Sequence, residues 1–371
     1  MNTKQQWLAL ALTPGLGPVT IGKLISLFGS ASGIFAAEPK KLAECTFLRK
    51  ESAASICDKE KNSQRLAEKE LARAQKAGVQ ILCWDDPLYP KLLKEIPDPP
   101  PLLYVKGSIH ALSCPGVAMV GARAATSYGL QVSKHLAQEL ARCNLSVISG
   151  FALGIDSAAH QGALSAGGAT IAVLGCGLDI VYPATNKKLY AEIAANGAIV
   201  SEYPMGTPPD GFRFPARNRI ISGLSLGVLV VEAARHSGTL ITANLALDQG
   251  REVFVVPGRI DSPKSEGCHR LAQEGAKLIH SVADILAELP AGANPSPTSD
   301  TSSTSRLAPE EEKLFSFLDV YPKNIEQLIA ETNMPPQKIQ EALLNLELRG
   351  LVAALPGKQY QRLAEPSSSS V

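Results

Sequence analysis

Between Gly211 and Val231 the chain carries three arginines, Arg213, Arg217 and Arg219, and no acidic residue. They stand in the run Phe212-Arg213-Phe214-Pro215-Ala216-Arg217-Asn218-Arg219, where aromatic rings alternate with guanidinium groups. A ring offers a stacking face to a base and a guanidinium offers a fork to a phosphate, so this is the chemistry of single-stranded nucleic acid binding. Pro215 suits the first turn of a helix, with Arg213 just before that helix and Arg217 and Arg219 in its first turns. A solvated helix face with both phenylalanines in the core is the alternative reading.

A second set of chemistry-bearing residues follows a series of short apolar runs. It comprises Gly121-Ala122-Arg123, Ser149-Gly150 through Gly154-Ile155-Asp156, Gly175 to Asp179, Ser201-Glu202, Glu232 with Ser237-Gly238-Thr239, and Pro257-Gly258-Arg259. Glycines bring backbone N–H groups close to an anion and helix N-termini add partial positive charge, so phosphate is the expected ligand. Each loop alone could be a plain strand-to-helix turn, but several converging on one rim favour a site. The dinucleotide pattern G-x-G-x-x-G is missing after the first strand, and no G-x-x-x-x-G-K-[ST] occurs, which argues against a nicotinamide or flavin enzyme and a P-loop NTPase. Asp156 and His160, four apart on a helix, lack a third ligand candidate and read as a helix N-terminal carboxylate and a core histidine; neither a metal nor another cofactor is expected. Glu202 and Glu232 each end a strand and could form a carboxylate pair, depending on their separation.

The elements that must position these residues are strands at VAMVG, LSVISG, TIAVLG, AIVSE, LGVLVVEA, EVFVVPG and KLIHS, with helices at 128–142, 155–165, 186–195, 215–222, 239–248 and around 268–274. Near-continuous apolar strands separated by helices predict a Rossmann-like, doubly wound, mostly parallel α/β sheet with VQILCW and PLLYVKG as extra edge strands. In such sheets ligands bind beyond the carboxyl ends of the strands, where the residues above fall.

A length of 371 residues accommodates two or three domains, and 45% hydrophobic against 19% charged residues describes a folded chain. The formal net charge is +1, but residues 1–78 net +5, residues 79–290 net −1 and residues 291–371 net −3, so polyanion binding rests on local patches. The expected organisation is a helical, helix-hairpin-helix-like domain over 1–78, the Rossmann-like domain over 79–290, a Ser/Pro/Thr-rich flexible linker over 291–305, a winged helix over 306–365 and a disordered tail over 366–371. Thr13 to Thr20 could present a Gly-x-Gly hairpin and Lys23 to a phosphodiester, or form a plain turn. The third helix of the winged domain balances Lys338 and Arg349 against Glu341 and Glu347, which favours partner docking over DNA reading. Seven scattered cysteines without a C-x-x-C pair, and the absence of a signal-peptide pattern, suggest a soluble cytoplasmic protein with no membrane association.

Taken in order, VAMVGARAATSYG, VISGFALGIDSAAHQGAL, TIAVLGCGLDIVYPATNKKLY, IVSEYPMG, FRFPARNRIISGLS, VLVVEAARHSGTLITANLALDQGREVFVVPG and EGAKLI resemble the DNA-processing protein A (Smf) family over most of residues 117–279. The resemblance implies a non-enzymatic protein of natural transformation that binds and protects single-stranded DNA, forms a homodimer and loads the RecA recombinase. It implies binding positions at Gly121, Arg123, Thr126, Lys187, Lys188, Phe214, Arg217, Asn218 and Arg219. Two departures stand out: Ala122 replaces the serine usual in this family's Gly-Ser-Arg, and His269-Arg270-Leu271-Ala272 stands where Asn-x-Leu-Ile is frequent. The dimer surface is expected around Leu271 to Ile279, unless that stretch is ordinary core. The rival is a lysine-decarboxylase-like nucleoside-monophosphate phosphoribohydrolase, whose P-G-G-x-G-T-x-x-E glutamate has no counterpart in His236 to Ala243.

Overall fold

The computed structural model describes residues 2–57, 62–290, 308–319, 321–348, 351–355 and 357–362. The expected linker and tail, and Arg349, lie outside these. The chain divides into two compact units, residues 1–297 and 298–371.

The first unit opens with six helices, α1 (Thr3–Ala11), α2 (Pro18–Phe28), α3 (Ala31–Ala36), α4 (Pro39–Ala43), α5 (Lys50–Cys57) and α6 (Asn62–Lys76). After them come β1 (Gln80–Cys83), α7 (Lys91–Lys94), β2 (Leu102–Gly107), β3 (Gly116–Val120), α8 (Ser127–Arg142), β4 (Ser146–Ser149), α9 (Ile155–Ser165) and β5 (Thr170–Val173). The unit continues with α10 (Lys187–Asn196), β6 (Ala198–Ser201), α11 (Arg213–Gly223), β7 (Gly227–Val230), α12 (Thr239–Asp248), β8 (Glu252–Val255), α13 (Glu266–Gln273), β9 (Lys277–Leu278) and α14 (Val282–Glu288). The helical N-terminus does not keep a core of its own. Trp7, Leu8, Leu10, Ile21, Leu24 and Ile34 pack in one cluster with Tyr104, Phe151, Leu174 and Met205 of the α/β part, so residues 78 and 79 do not separate independent cores.

The nine strands run in the order β1-β2-β6-β5-β4-β3-β7-β8-β9. From β6 to β9 all neighbours are parallel, whereas β1–β2 and β2–β6 are antiparallel, so the VQILCW and PLLYVKG strands extend one edge. Strands β3 to β7 are buried along their whole length, which explains their uninterrupted apolar sequences. The chain starts the parallel part at β3, winds outward to β6, then returns to place β7 on the other side of β3. Helices leaving β3 and β7 therefore diverge and open a crevice, the usual ligand position in such a sheet.

The stretch expected to carry the dimer surface is partly core. Leu271 and Ile279 are 3% and 1% exposed and belong to the core, because α13 packs against the sheet and Ile279 follows the last strand inward. Leu278, on the edge strand β9, remains 58% exposed.

The second unit contains α15 (Pro309–Phe317), β10 (Lys323–Asn324), α16 (Ile325–Thr332), α17 (Pro336–Leu348), β11 (Val352–Leu355) and β12 (Gln359–Arg362), the order of a winged helix. Leu314, Leu328, Ile339, Leu343 and Val352 form its core. Lys338 of α17 is engaged by Glu310 of α15, so the third helix offers less positive charge than its sequence shows.

Candidate nucleic-acid interface

A cleft of about 560 Å³ lies at the crevice beyond β3 and β7. Its lining includes Gly121, Arg123, Phe214, Arg217, Asn218, Ser237, Gly238 and Thr239, eight of the residues expected from sequence, together with Tyr182, Asp156 and Thr242.

Arg123 stands on the loop after β3, and Glu232 holds that loop at both ends. The Ala122 N–H donates to the Glu232 carbonyl at 2.9 Å, and the Thr126 N–H to Glu232 Oε2 at 3.0 Å. The Thr126 hydroxyl donates to Glu232 Oε1 and accepts from the Gly129 N–H at 3.0 Å, capping α8. Thr126 therefore does not line the cleft; it fixes the loop that carries Arg123. Gly154 completes the support. Its φ is +78° and an added Cβ would come within 2.3 Å of the Ala122 carbonyl, so only glycine lets α9 start beneath this loop.

Above the glycine loops, the Arg123 guanidinium lies 5.6 Å over the Phe214 ring, and Tyr182 stacks against Phe214 with centroids 5.7 Å apart and 29° between planes. Arg123 has no carboxylate partner among the described residues. Helix α11, which carries Phe214, begins at Arg213 rather than after it. Arg213 donates to the Pro208 carbonyl and lies over Phe212 and Tyr203. Phe212 is 67% exposed beside it. Tyr182 is a cleft residue that the sequence reading does not single out, and its signal is an aromatic ring three residues after the Gly175 to Asp179 turn.

Arg217 lines the cleft but is mostly committed to the fold. Its Nη1 donates to the carbonyls of Gly150 at 2.8 Å and Val173, joining the ends of β4 and β5. Asp156 accepts N–H bonds from Gly150 and Ala152 at 3.1 and 3.2 Å. A Cβ on Gly150 would meet Arg217 Nη2 and Asp156 Oδ2 at 2.8 Å each, so glycine lets these two groups approach. Burial pulls the Arg217 guanidinium down to about 10 against the opposing charge of Asp156. Burial likewise pushes the Asp156 carboxyl up, with Arg217 opposing. Behind them, the His160 Nδ1 lies 2.7 Å from Thr170 Oγ1, whose proton goes to the Val147 carbonyl. Nδ1 is thus the protonated nitrogen, and Nε2 has no partner.

The structure places three further sets of residues outside the cleft lining. Arg219 is not a cleft residue: its guanidinium bonds both oxygens of Glu202 and reaches Asp98 at 2.8 Å. The absence of acids nearby in sequence concealed partners 17 and 121 positions away. Lys187 and Lys188 start α10, exposed and outside the cleft, and Lys188 lies 3.7 Å from Glu192. Glu202 and Glu232 have separate partners, Arg219 and Thr126, and do not form a carboxylate pair.

The fold and cleft define a doubly wound α/β protein with a basic, aromatic crevice at the reversal of its strand order. Residues 80–290 match the model of DNA recombination-mediator protein A, and residues 295–358 that of the DprA winged helix domain. The chain belongs to the DNA recombination-mediator protein A (DprA/Smf) family. It is 37% identical to Protein Smf of Synechocystis over 97% of this chain and 99% of that protein. It is 50% identical to DNA processing protein DprA of Streptococcus pneumoniae over 55% of this chain and 72% of that one. The X-ray structure of Streptococcus pneumoniae DprA superposes with a TM-score of 0.70 at 38% identity, covering 78% of this chain and all of that one. A Helicobacter pylori DprA structure, described as giving insight into a unique single-stranded DNA binding mode, superposes with a TM-score of 0.52 at 35% identity, covering 56% of this chain and 94% of that one. No helix among the described residues is long and apolar enough to cross a membrane.

Proposed function

We propose that this protein binds single-stranded DNA in the cleft beyond the ends of β3 and β7, without catalysing a reaction, and serves DNA processing in natural transformation. The observation that carries the reading is the Tyr182–Phe214–Arg123 stack above glycine loops. Two rings take bases, an unpaired guanidinium takes phosphate, and neither reads a particular sequence. The Helicobacter pylori relative's description as a single-stranded DNA binder supports the same reading. Among the described residues Asp156 is the only carboxylate lining the cleft, and its Oδ2 accepts two backbone N–H groups, which argues against the rival hydrolase.

Family membership supports the finer role: protection of incoming strands in the cytoplasm and their transfer to the RecA recombinase by a homodimer. The exposed Leu278 on the edge strand β9 marks where the dimer contact is expected. Salt titrations of binding to single- and double-stranded oligonucleotides test the central claim. Tighter binding to the single strand, lost in Arg123→Ala and Phe214→Ala, is expected; equal binding of both forms, or free base released from nucleoside monophosphates above a heat-killed control, overturns it.

A further inference from the structure

A second groove of about 450 Å³ lies on the other side of Arg123 from the cleft, between α8 and α9. It is lined by Leu130, Gln131 and Lys134 from α8 and by Ala158 and Gln161 from α9, with Arg123 at the shared wall. None of its lining residues is acidic. Lys134 is exposed and makes no ion pair among the described residues, and the side-chain amides of Gln131 and Gln161 have no protein partner there. The helices meet closely beneath: a Cβ on Gly162 would stand 2.3 Å from the Lys134 carbonyl.

We propose that this groove holds the next nucleotide of the strand that fills the cleft, with Lys134 on its phosphate and Gln131 and Gln161 on its base. The inference rests on single-stranded DNA binding in the cleft. Charge and continuity select this occupant. Two cations without a neighbouring acid attract a polyanion rather than a peptide of mixed charge. Arg123 borders both cavities, so one chain of phosphates passes over it from cleft to groove. Leu130 and Ala158 offer an apolar bed for a base, and two free amides supply both donors and acceptors for its edge. Because an amide can present either group, the groove accepts every base, with a mild preference set by hydrogen bonding rather than by shape.

The test is a salt titration of the full chain with a labelled 20-nucleotide oligothymidine. Lys134→Ala is expected to weaken binding severalfold and to flatten the slope of log K against log salt by about 0.7, the share of one phosphate contact. The Gln131→Ala/Gln161→Ala double variant is expected to weaken binding with the slope unchanged, because neutral contacts release no counterions. Lys91→Ala, at an exposed lysine lining neither cavity, serves as control and leaves both quantities alone. Lys134 and both glutamines are exposed, so thermal unfolding of these variants is expected to match the parent. If Lys134→Ala or the glutamine pair binds like the parent while Arg123→Ala and Phe214→Ala lose binding, the groove is empty and the cleft reading stands. If the parent itself does not bind the oligonucleotide, both fall.

Discussion

Arg219 grips Glu202 with both terminal nitrogens, Nη1 to Oε1 at 2.8 Å and Nη2 to Oε2 at 2.7 Å. The pair ties α11 to the end of β6, and it separates two arginines that the sequence presents alike. Replacing Arg219 by Ala leaves Glu202 largely buried without a partner, and a loss on the order of 3 kcal/mol of folding stability is expected by denaturant unfolding. Replacing Arg123, which has no carboxylate partner, leaves stability near the parent value and lowers the salt slope of oligonucleotide binding by about 0.7. The opposite pattern would move the DNA contact from Arg123 to Arg219.

Phe214 is expected to act through stacking. Phe214→Ala weakens single-strand binding by roughly 1–3 kcal/mol with the salt slope intact, as the loss of a neutral contact requires. A changed slope would mean that the ring works by placing Arg123 or Arg217 rather than by meeting a base.

Gly154→Ala places a Cβ against the Ala122 carbonyl at a φ of +78°. A loss on the order of 2 kcal/mol is expected in unfolding, since the backbone must leave its conformation and push the Arg123 loop. Gly167, with a φ of +72° but open space around it, is the control: its alanine variant meets backbone strain alone and is expected to cost less.

His160 is held neutral, with burial drawing its imidazole from the ordinary 6.5 down to about 3 and Arg217 adding to the shift. Between those values the unfolded chain takes up a proton that the native chain refuses, so the residue's contribution to stability falls as pH falls below about 6.5. Relative to His160→Asn, the parent is expected to lose up to about 1.4 kcal/mol per pH unit below that point. Taking the difference removes the contribution of Asp156, whose raised carboxyl pulls the other way. A difference that stays constant between pH 7 and 5 would show that the imidazole is hydrated.

Removal of everything after Pro290 is expected to leave oligonucleotide affinity within a few fold. The winged helix region carries net negative charge, and Lys338 is already matched by Glu310. A tenfold loss, about 1.4 kcal/mol, would assign the winged helix a direct contact.

Strand positions and most helix bounds were legible because apolar runs and amphipathic periods are local properties. Helices Ile155–Ser165 and Thr239–Asp248 fall where the spacing predicts. The glycine loops were legible for the same reason, since a backbone that must turn sharply leaves its mark in one residue. Whether an arginine is free could not be read that way. Arg123, Arg217 and Arg219 look equally unpaired along the chain, yet one faces the cleft, one joins strand ends through carbonyls and one is neutralised by Glu202 and Asp98. The sheet order and the segment leading into β2 bring those partners within 3 Å, because crossover connections set residues far apart in sequence side by side. Leu271 and Leu278 teach the same lesson for apolar residues. Both read as buried or as interface until the last helix and edge strand are in place, and then the orientation of each element sends one side chain to the core and the other to solvent. Sequence alone therefore determined which chemistry the chain carries; the tertiary structure decided which of its charges remain available to a ligand, because pairing depends on through-space distance and not on spacing along the backbone.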